Sequence, residues 1–263
     1  MNHSSDDAVH ILPVDGIGEV AQGDEIEGII ADAIVASTGG LRAGDVVVVT
    51  HKIVSKAEGQ LVRLATVTPS AFAESWAAAW GKDARQVEVV LREAKRIVRM
   101  SRGLIIAETR HGFICANAGV DASNAGPEMV CLLPVDPDAS AERIRAGLTA
   151  RFFPEAGPDE RPVGVVITDS FGRPWRNGIV NIAIGVAGIA PLADYRGQHD
   201  PDGYELRATV LAVADELASA AELVMHKTAR RPVAVIRGYA WQASDAAGTG
   251  RDLVMAEERN LFI

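Results

Sequence analysis

The chain contains 263 residues, of which 48% are hydrophobic and 23% charged, and its formal net charge is −9. These values predict a soluble globular protein with one large domain, or two small ones, and a sizeable core. The negative charge argues against nucleic acid as the main partner, because binding to a phosphate backbone requires a basic surface. Apolar runs stay shorter than the roughly 18 residues of a membrane-spanning helix, so we expect no membrane partner.

The N-terminal residues 1–9 are polar and acidic and predict a flexible tail, followed by a single domain over residues 10–263. They lack the features of a signal peptide, so we expect a cytoplasmic protein. Two cysteines, Cys115 and Cys131, are too few for a disulfide framework or a zinc cluster. Their apolar neighbours favour buried thiols over the alternative, a catalytic nucleophile.

The first predicted strand covers residues 10–14 and ends at Asp15-Gly16-Ile17-Gly18. The two glycines allow either a plain turn or a close backbone approach to a nucleotide, and the residues alone favour the turn. Neither a GxxxxGK[ST] motif nor a GxGxxG motif is present. Their absence argues against a P-loop NTPase and a Rossmann protein.

A predicted helix over residues 28–36 precedes a buried β-branched strand over residues 46–50. His51 follows this strand directly, and Lys52 and Lys56 come next. Lysines just past a core strand are placed to bind phosphate. Solvated surface lysines would give the same pattern.

Two helices are predicted after these lysines. The first begins at Thr68-Pro69, a cap followed by proline at the first helical position, and ends near Trp80. The second begins at the pattern Asp83-x-x-Gln86, which resembles a capping box. Its apolar stripe consists of Val87, Val90, Leu91, Ala94, Ile97 and Val98.

A predicted hairpin of strands over 104–108 and 113–116 leads into a polar, glycine-spaced loop over 117–126. Loops of this kind often carry function. Asp121 is a candidate metal ligand, and Asn124 is a candidate partner for a base or ribose. An exposed turn with Asx-type hydrogen bonds explains the same residues equally well.

The later elements are predicted from capping residues and apolar periodicity. In order, they are a helix capped by Ser140 and reaching Phe153, a linker over 154–162, a strand or helix start over 205–210, a helix over 212–225, a strand over 232–237, a loop over 241–250 and a short helix over 251–259. Asp215 and Glu216 are adjacent in the helix over 212–225, and we expect them on its surface.

The stretch VGVVITDSFGRPWRNG, residues 163–178, carries the strongest site pattern. An apolar β-branched run, typical of a strand buried on both faces, breaks off at Asp169-Ser170, and Arg173 and Arg176 follow. Ligands of α/β-type sheets collect at the carboxyl ends of strands. These residues therefore predict a site for metal-bound phosphate, and the alternative is an ordinary strand with a polar turn.

Asp121, Asp169 and Ser170 would supply oxygen ligands from two separate segments, a set that suits Mg²⁺ or Mn²⁺. The nearby lysines and arginines fit a triphosphate. No nucleophile stands out, so the combination predicts phosphoryl transfer by positioning and charge neutralisation.

Seven motifs in matching order, spanning roughly residues 10–240, resemble the coenzyme F420-0:L-glutamate ligase (γ-glutamyl ligase) family. The motifs are ILPVDGIGEV, GDVVVVTHKIVSKAEG, ETRHGFICANAGVDASNAG, LLPVDPDASAERIRAGL, VVITDSFGRPWRNG, ADELASAAELVM and RPVAVIRG. The chain resembles the free-standing form of the family, without a C-terminal nitroreductase-like domain.

The resemblance implies an α+β fold with mixed sheets and packed helices, unrelated to the P-loop and Rossmann folds. It also implies a homodimer that uses GTP to add L-glutamate, and often further γ-linked glutamates, to the deazaflavin F420-0. The implied ions are Mg²⁺ or Mn²⁺, with stimulation by K⁺.

The resemblance also assigns roles to residues, motif by motif. The implied GTP contacts are Ile17, Gly18, Glu19, Val20, His51, Lys56 and Asn124. The implied metal ligands are Asp121, Asp169 and Ser170, and Asp121, Asp169 and Lys56 are the expected catalytic residues. Lys52, Arg173 and Arg176 are expected to contact phosphate or substrate.

The implied mechanism activates a carboxylate, which is a poor electrophile until its oxygen becomes a leaving group. GTP would phosphorylate the terminal carboxylate of the lactyl group to an acyl phosphate, and the amine of glutamate would displace phosphate. Metals on Asp121 and Asp169 would neutralise the phosphates, and Lys56 and nearby arginines would hold them. No base for the amine is identified, and Asp215 and Glu216 are weak candidates.

The chain departs from the family pattern at three places. Ile179-Val180-Asn181 stands where the family usually has Gln-Thr-Asp, His51 where serine is common, and His226 where glycine is common. These changes keep two alternatives open. One is a GTP-dependent ligase for a different carboxylate acceptor, and the other is a nucleotide-binding protein without catalysis.

Overall fold

The computed structural model describes residues 8–157, 160–242 and 248–260. The helices are α1 (Ile26–Thr38), α2 (His51–Ala57), α3 (Ala71–Trp80), α4 (Ala84–Glu93), α5 (Pro137–Phe152) and α6 (Val213–Met225). The strands are β1 (His10–Val14), β2 (Asp45–Thr50), β3 (Leu61–Arg63), β4 (Ala94–Ser101), β5 (Leu104–Thr109), β6 (Ile114–Ala116), β7 (Met129–Cys131), β8 (Val163–Arg173), β9 (Arg176–Ala187), β10 (Ala193–Asp194), β11 (Val210–Leu211) and β12 (Val233–Arg237).

The main sheet has five strands in the order β1-β12-β2-β8-β9. Its β2–β8 pair is parallel, and its other pairs are antiparallel. The expected α+β class with mixed sheets is therefore confirmed. This arrangement differs from the parallel sheets of P-loop and Rossmann proteins.

Helices cover both faces of the main sheet because its central strands are apolar on both sides. Val47, Val49 and Val165 pack on one face with buried residues of α1 and α5. On the other face, Val46 and Val48 pack with α6. The strands predicted over 46–50 and 232–237, and the helix over 212–225, are confirmed.

A second group of elements packs beside the main sheet. Helices α3 and α4 bury a small core against the sheet β4-β5-β6, whose central strand supplies Ile105 and Ala107. Strands β3 and β7 form a separate pair. Strand β7 follows the polar loop over 117–126, so this pair anchors that loop at its end.

The predicted helix after Asp83 ends earlier than its apolar stripe suggests. Helix α4 stops at Glu93, and the stripe residues Ile97 and Val98 lie in β4, which pairs with β5. The prediction of a helix through Val98 was wrong. Isoleucine and valine favour strands, and pairing with β5 decided the outcome over the helical spacing.

The expected break at Asp169-Ser170 was also wrong. Strand β8 continues to Arg173 and returns as β9 from Arg176, with paired residues on either side of Asp169 and Ser170. The polar residues are therefore held in a hairpin, where both strands fix their positions. The small, mostly apolar residues from Ile182 to Ala187 belong to β9.

Several predicted ends shift by a few residues. The cap of α3 is Ser70, whose Oγ accepts a hydrogen bond from the Ala73 amide, rather than Thr68. The cap of α5 is Asp136 rather than Ser140. Asp83 caps α4 by accepting from the Arg85 amide, not through a box with Gln86.

The C-terminal helix predicted over 251–259 consists of two short 3-10 turns. Of the strand or helix start predicted over 205–210, only Val210 lies in a strand, β11. Part of the predicted N-terminal tail, part of the linker over 154–162 and part of the loop over 241–250 lie outside the described residues. Within the described ranges, no helix is long and apolar enough to cross a membrane.

Candidate active site

The parallel pairing of β2 with β8 brings His51 and Asp169 together. Thr50, the last residue of β2, is aligned with Thr168 in the middle of β8, so the residues that follow them, His51 and Asp169, lie next to each other. His51 Nε2 lies 3.4 Å from Asp169 Oδ1. This contact is close enough for an ion pair with a protonated ring, but His51 Nε2 makes no hydrogen bond among the described residues.

His51 is held in place from its other ring nitrogen. The ring is buried, and Nδ1 lies 3.2 Å from the Ser55 hydroxyl one helical turn along α2. Which nitrogen carries the proton depends on the tautomer. The imidazole is thus fixed, with Nδ1 beside Ser55 and the buried Nε2 beside Asp169.

The next residue of α2, Lys52, binds the second predicted carboxylate. Its Nζ lies 2.6 Å from Asp121 Oδ2 and donates to the Ser123 hydroxyl at 2.7 Å. Asp121 is anchored by a two-way backbone bridge to Cys131 at the end of β7. Consecutive residues of α2 therefore connect the 117–126 loop with β8.

Asp121 remains a carboxylate in this setting. Burial raises its pKa, but hydrogen bonds from Lys52 and from the amide and hydroxyl of Ser123 outweigh burial and hold the pKa below its usual value. The side chain keeps 37% of its surface exposed. It is therefore an anion that solvent or a ligand can reach.

Lys56, one turn beyond Lys52, forms an ion pair with Glu19. The contact links α2 to the glycine-containing turn predicted to bind GTP. In that turn Ile17 and Val20 are buried, while Gly18 and Glu19 are exposed. The turn is thus docked by its apolar residues and presents Gly18 and Glu19 beside the lysine.

Asn124 occupies an exposed position in the 117–126 loop with a φ of 56°. The loop approaches α2 through the Lys52–Ser123 hydrogen bond. Asn124 therefore belongs to the same loop as Asp121, and its role in binding GTP stays a prediction.

The two arginines lie farther from these residues. Arg173 and Arg176 pair with each other across the tip of the β8–β9 hairpin, and Arg173 donates to the Asn177 carbonyl at 3.2 Å. Within the described part of the chain, no hydrogen bond or ion pair joins either arginine to Asp121, Asp169 or α2. Their contact with phosphate stays a prediction.

Both cysteines are free and buried, as predicted. Burial raises the pKa of Cys115 to about 12, with a further contribution from the charge of Asp169. Burial likewise raises the pKa of Cys131 to about 11. Both thiols are therefore protonated at neutral pH, and the thiolate needed by a nucleophile is not available.

Asp215 has a structural task. The β8–β9 register shifts after Ile167, and Asp215 Oδ1 accepts a hydrogen bond from the amide of Ala183 at 2.9 Å, just past this irregularity. Burial raises the pKa of Asp215. Glu216 is exposed on α6. The contacts of Asp215 anchor α6 to β9.

Ser170 has hydrogen-bond partners that were not predicted from the sequence. Its hydroxyl donates to Asn181 Oδ1 at 2.7 Å, and Lys227 donates to the Ser170 oxygen. Asn181 Nδ2 in turn donates to Glu222 Oε2 at 2.8 Å. The departure from the family pattern at Asn181 was the available signal, but nothing in the sequence linked it to Glu222 or Lys227.

The carboxylates of Asp121 and Asp169 suit a divalent cation whose remaining coordination positions are filled by a bound ligand and water. Both contacts of Asp169, from the Ser170 amide at 2.7 Å and from His51, use Oδ1. Asp121 uses Oδ1 and Oδ2 for Ser123 and Lys52. The described residues include no group of three His, Cys, Asp or Glu side chains able to hold a metal alone. Mg²⁺ commonly takes one or two carboxylates and completes its shell with phosphates and water.

The amino-acid sequence of the chain is similar to those of known proteins. The family model described as F420-0:gamma-glutamyl ligase matches residues 16–238. A coenzyme F420:L-glutamate ligase from Methanopyrus kandleri is 44% identical over 257 residues, covering 97% of each chain. The protein of the same name from Methanothermobacter thermautotrophicus is 41% identical over 255 residues, covering 97% of this chain and 98% of its own.

A third relative, the coenzyme F420:L-glutamate ligase from Methanocaldococcus jannaschii, is 44% identical over 220 residues. These residues cover 83% of this chain and 84% of the relative. The family match contains β2, α2, the 117–126 loop, β8 and α6.

Proposed function

The chain belongs to the F420-0:gamma-glutamyl ligase family, a family of ligases, and from this membership we propose that it uses GTP to join L-glutamate to coenzyme F420-0. The observation that carries the proposal is the family match over residues 16–238, which contains every residue of the candidate site. The convergence of Asp121, Asp169 and three basic residues of α2 supports it.

The chemistry requires an activated carboxylate. An oxygen of the F420-0 carboxylate attacks the γ-phosphorus of GTP, the bond from that phosphorus to the bridging oxygen breaks, and GDP leaves. The amine of L-glutamate then attacks the acyl carbon, inorganic phosphate leaves, and the amine gives up a proton. Both steps build negative charge on phosphate oxygens, so fixed cations favour them.

The residues of α2 supply those cations. Lys52 and Lys56 form ion pairs with Asp121 and Glu19, and both would exchange these partners for phosphate oxygens when GTP binds. His51 is held beside Asp169 by Ser55. The α2 residues and the turn at Gly18 and Glu19 together form the nucleotide side of the site.

Asp169 and Asp121 are the residues that would hold Mg²⁺ or Mn²⁺. Such an ion neutralises phosphate charge and polarises the transferred phosphoryl group. Stimulation by K⁺ and assembly into a homodimer, both implied by the family resemblance, complete the proposal.

A second candidate has one observation in its favour. Asn181 replaces the aspartate common in the family and lies directly beside Ser170, with 4% of its surface exposed. A substitution at a residue that contacts the site, such as Asn181, could change which carboxylate acceptor the enzyme uses. A GTP-dependent ligase for a different carboxylate acceptor is therefore the alternative.

The test is a reaction of the purified protein with GTP, Mn²⁺, L-glutamate and F420-0, read by mass spectrometry and by GDP release. We expect a glutamyl mass increment on F420-0 with GDP formed in proportion. Omitting L-glutamate is the control for GDP release without product.

Other outcomes separate the alternatives. GDP release that requires another carboxylate in place of F420-0 favours the second candidate. Binding of GTP without release of GDP for any acceptor overturns the ligase proposal and favours a non-catalytic nucleotide-binding protein.

A further inference from the structure

Four polar residues form a connected group at Ser170, here called the Ser170 cluster: Ser170, Asn181, Glu222 and Lys227. Ser170 donates to Asn181 at 2.7 Å, and Asn181 donates to Glu222 at 2.8 Å. Lys227 donates to the Ser170 hydroxyl oxygen. The four side chains come from β8, β9, α6 and the segment after α6.

The fold holds Asn181 firmly in this cluster. Ser170 and Asn181 are directly paired across the β8–β9 ladder. The carbonyl of Asn181 accepts a hydrogen bond from Ser219 of α6 at 2.8 Å. Backbone and side chain are both fixed, and the amide oxygen of Asn181 accepts the hydrogen bond from Ser170.

The turn after α6 delivers Lys227 to the cluster. His226 caps this helix with a φ of 54° and a ψ of 148°, a conformation that redirects the chain sharply. The next residue, Lys227, then extends back to β8. A charged side chain reaches Ser170 because of this turn.

The hydroxyl of Ser170 has one lone pair left for binding a metal ion. A serine hydroxyl has one hydrogen to donate and two lone pairs. Its hydrogen is directed to Asn181, and one lone pair accepts from Lys227. A divalent cation on the second lone pair would lie close to the lysine ammonium group, and the two positive charges would repel each other.

The charges of the cluster are already matched without a metal. Glu222 contributes one negative charge and Lys227 one positive charge, while Asn181 is neutral. An aspartate at position 181 would add a second carboxylate to that of Glu222 and so favour a divalent cation, and this chain has a neutral amide there instead. The cluster therefore favours a single fixed positive charge.

We propose that Lys227 supplies the positive charge at Ser170 in place of a divalent cation, so that Ser170 is not a metal ligand in this chain. Lys227 is then an anion-binding residue at the edge of the site. That this anion is a nucleotide phosphate rests on the proposed function. The exclusion of metal from Ser170 rests on the contacts of the cluster alone.

The test measures Mn²⁺ binding without nucleotide, by electron paramagnetic resonance of the free ion. The proteins are the wild type, Ser170→Ala, Lys227→Met, the double variant Lys227→Met/Ser170→Ala, and Asp169→Asn as the reference for loss of a ligand. Lys82→Met, at an exposed lysine on the turn between α3 and α4, is the matched control for loss of one positive charge. Thermal unfolding verifies that each variant is folded.

We expect Ser170→Ala to leave Mn²⁺ affinity within about twofold of the wild type. Lys227→Met should bind one additional Mn²⁺, or bind Mn²⁺ at least about tenfold more tightly. This gain should disappear in the double variant and should be absent from Lys82→Met.

Two results would overturn the inference: Mn²⁺ binding by Lys227→Met that equals that of the wild type, or weakened binding in Ser170→Ala alone. Both readouts are independent of catalysis. If no glutamyl product forms while the Mn²⁺ results hold, the proposed function fails and the exclusion of metal from Ser170 stands.

Discussion

His51 Nε2 lies 3.4 Å from Asp169 Oδ1, and the two residues directly follow Thr50 and Thr168, which are aligned in the parallel pair β2–β8. The site depends on this register. A shift of one residue between the strands would turn Asp169 to the opposite face of the sheet. Helix α2 then extends the arrangement to Asp121 through Lys52 and to Glu19 through Lys56.

Substitution of Lys52 by methionine tests the neutralisation of Asp121. Burial raises the pKa of Asp121, and the hydrogen bond and charge of Lys52 lower it, so the pKa of Asp121 should rise when the lysine is removed. In the wild type, the stabilisation from the lowered pKa is present above about pH 4 and is lost as the pH falls through the folded-state pKa. Lys52→Met should therefore lower the free energy of unfolding by about 1 kcal/mol at pH 7, a small value because the Asp121 side chain is partly exposed.

The measurement is urea unfolding of the wild type and Lys52→Met at pH 7 and at pH 3.5, with Lys82→Met as the control. The difference between wild type and Lys52→Met should shrink at the lower pH, where Asp121 becomes protonated in the variant. A difference that is independent of pH would contradict the role of the ion pair with Asp121.

Much of this site could be predicted from sequence, because its residues follow buried β-branched strands. The runs before His51 and Asp169 determine where the first polar side chains follow the buried part of each strand. The parallel pairing that brings them together could not be derived from either run alone. It depends on packing of α1, α5 and α6 on the two faces of the sheet.

Other features of the structure could not be predicted from the sequence, for physical reasons. The residues Ile97 and Val98 fit a helical stripe and a strand equally well, and the pairing of β4 with β5 selected the strand. The Ser170 cluster joins residues from separate elements, so no local pattern could reveal it. The continuation of β8 past Asp169 depends on its ladder with β9, which overrides the turn-forming residues.

The reactivity of the thiols tests their protonation. Because burial raises the pKa of Cys115 to about 12 and of Cys131 to about 11, neither thiol should react with a thiol-specific disulfide reagent at pH 8 while the chain is folded. Both should react after addition of denaturant, which is the control for accessibility. Rapid modification of either cysteine in the folded protein, with loss of activity, would show that this cysteine reacts as a thiolate and would support its role as a nucleophile.

The backbone at His226 predicts a stabilising substitution. Its φ of 54° and ψ of 148° lie in a region that glycine adopts more readily than other residues. His226→Gly should raise the free energy of unfolding by about 1 kcal/mol, measured by denaturant unfolding. Leu223→Gly, at an exposed position within α6, is the matched control and should lower it by about 1 kcal/mol. A loss of stability in His226→Gly would show that its histidine side chain stabilises the turn.

The most direct test of the central claim is the rate of glutamyl product formation by Asp169→Asn. This substitution removes the charge and keeps the Oδ1 atom that accepts from the Ser170 amide, so the fold should be retained, as judged by thermal unfolding. Asp194→Asn, in the exposed ion pair with Arg196, is the control and should have the wild-type rate. We predict that Asp169→Asn lowers the rate by at least about 100-fold. A rate within a few fold of the wild type would contradict the assignment of Asp169 to the active site.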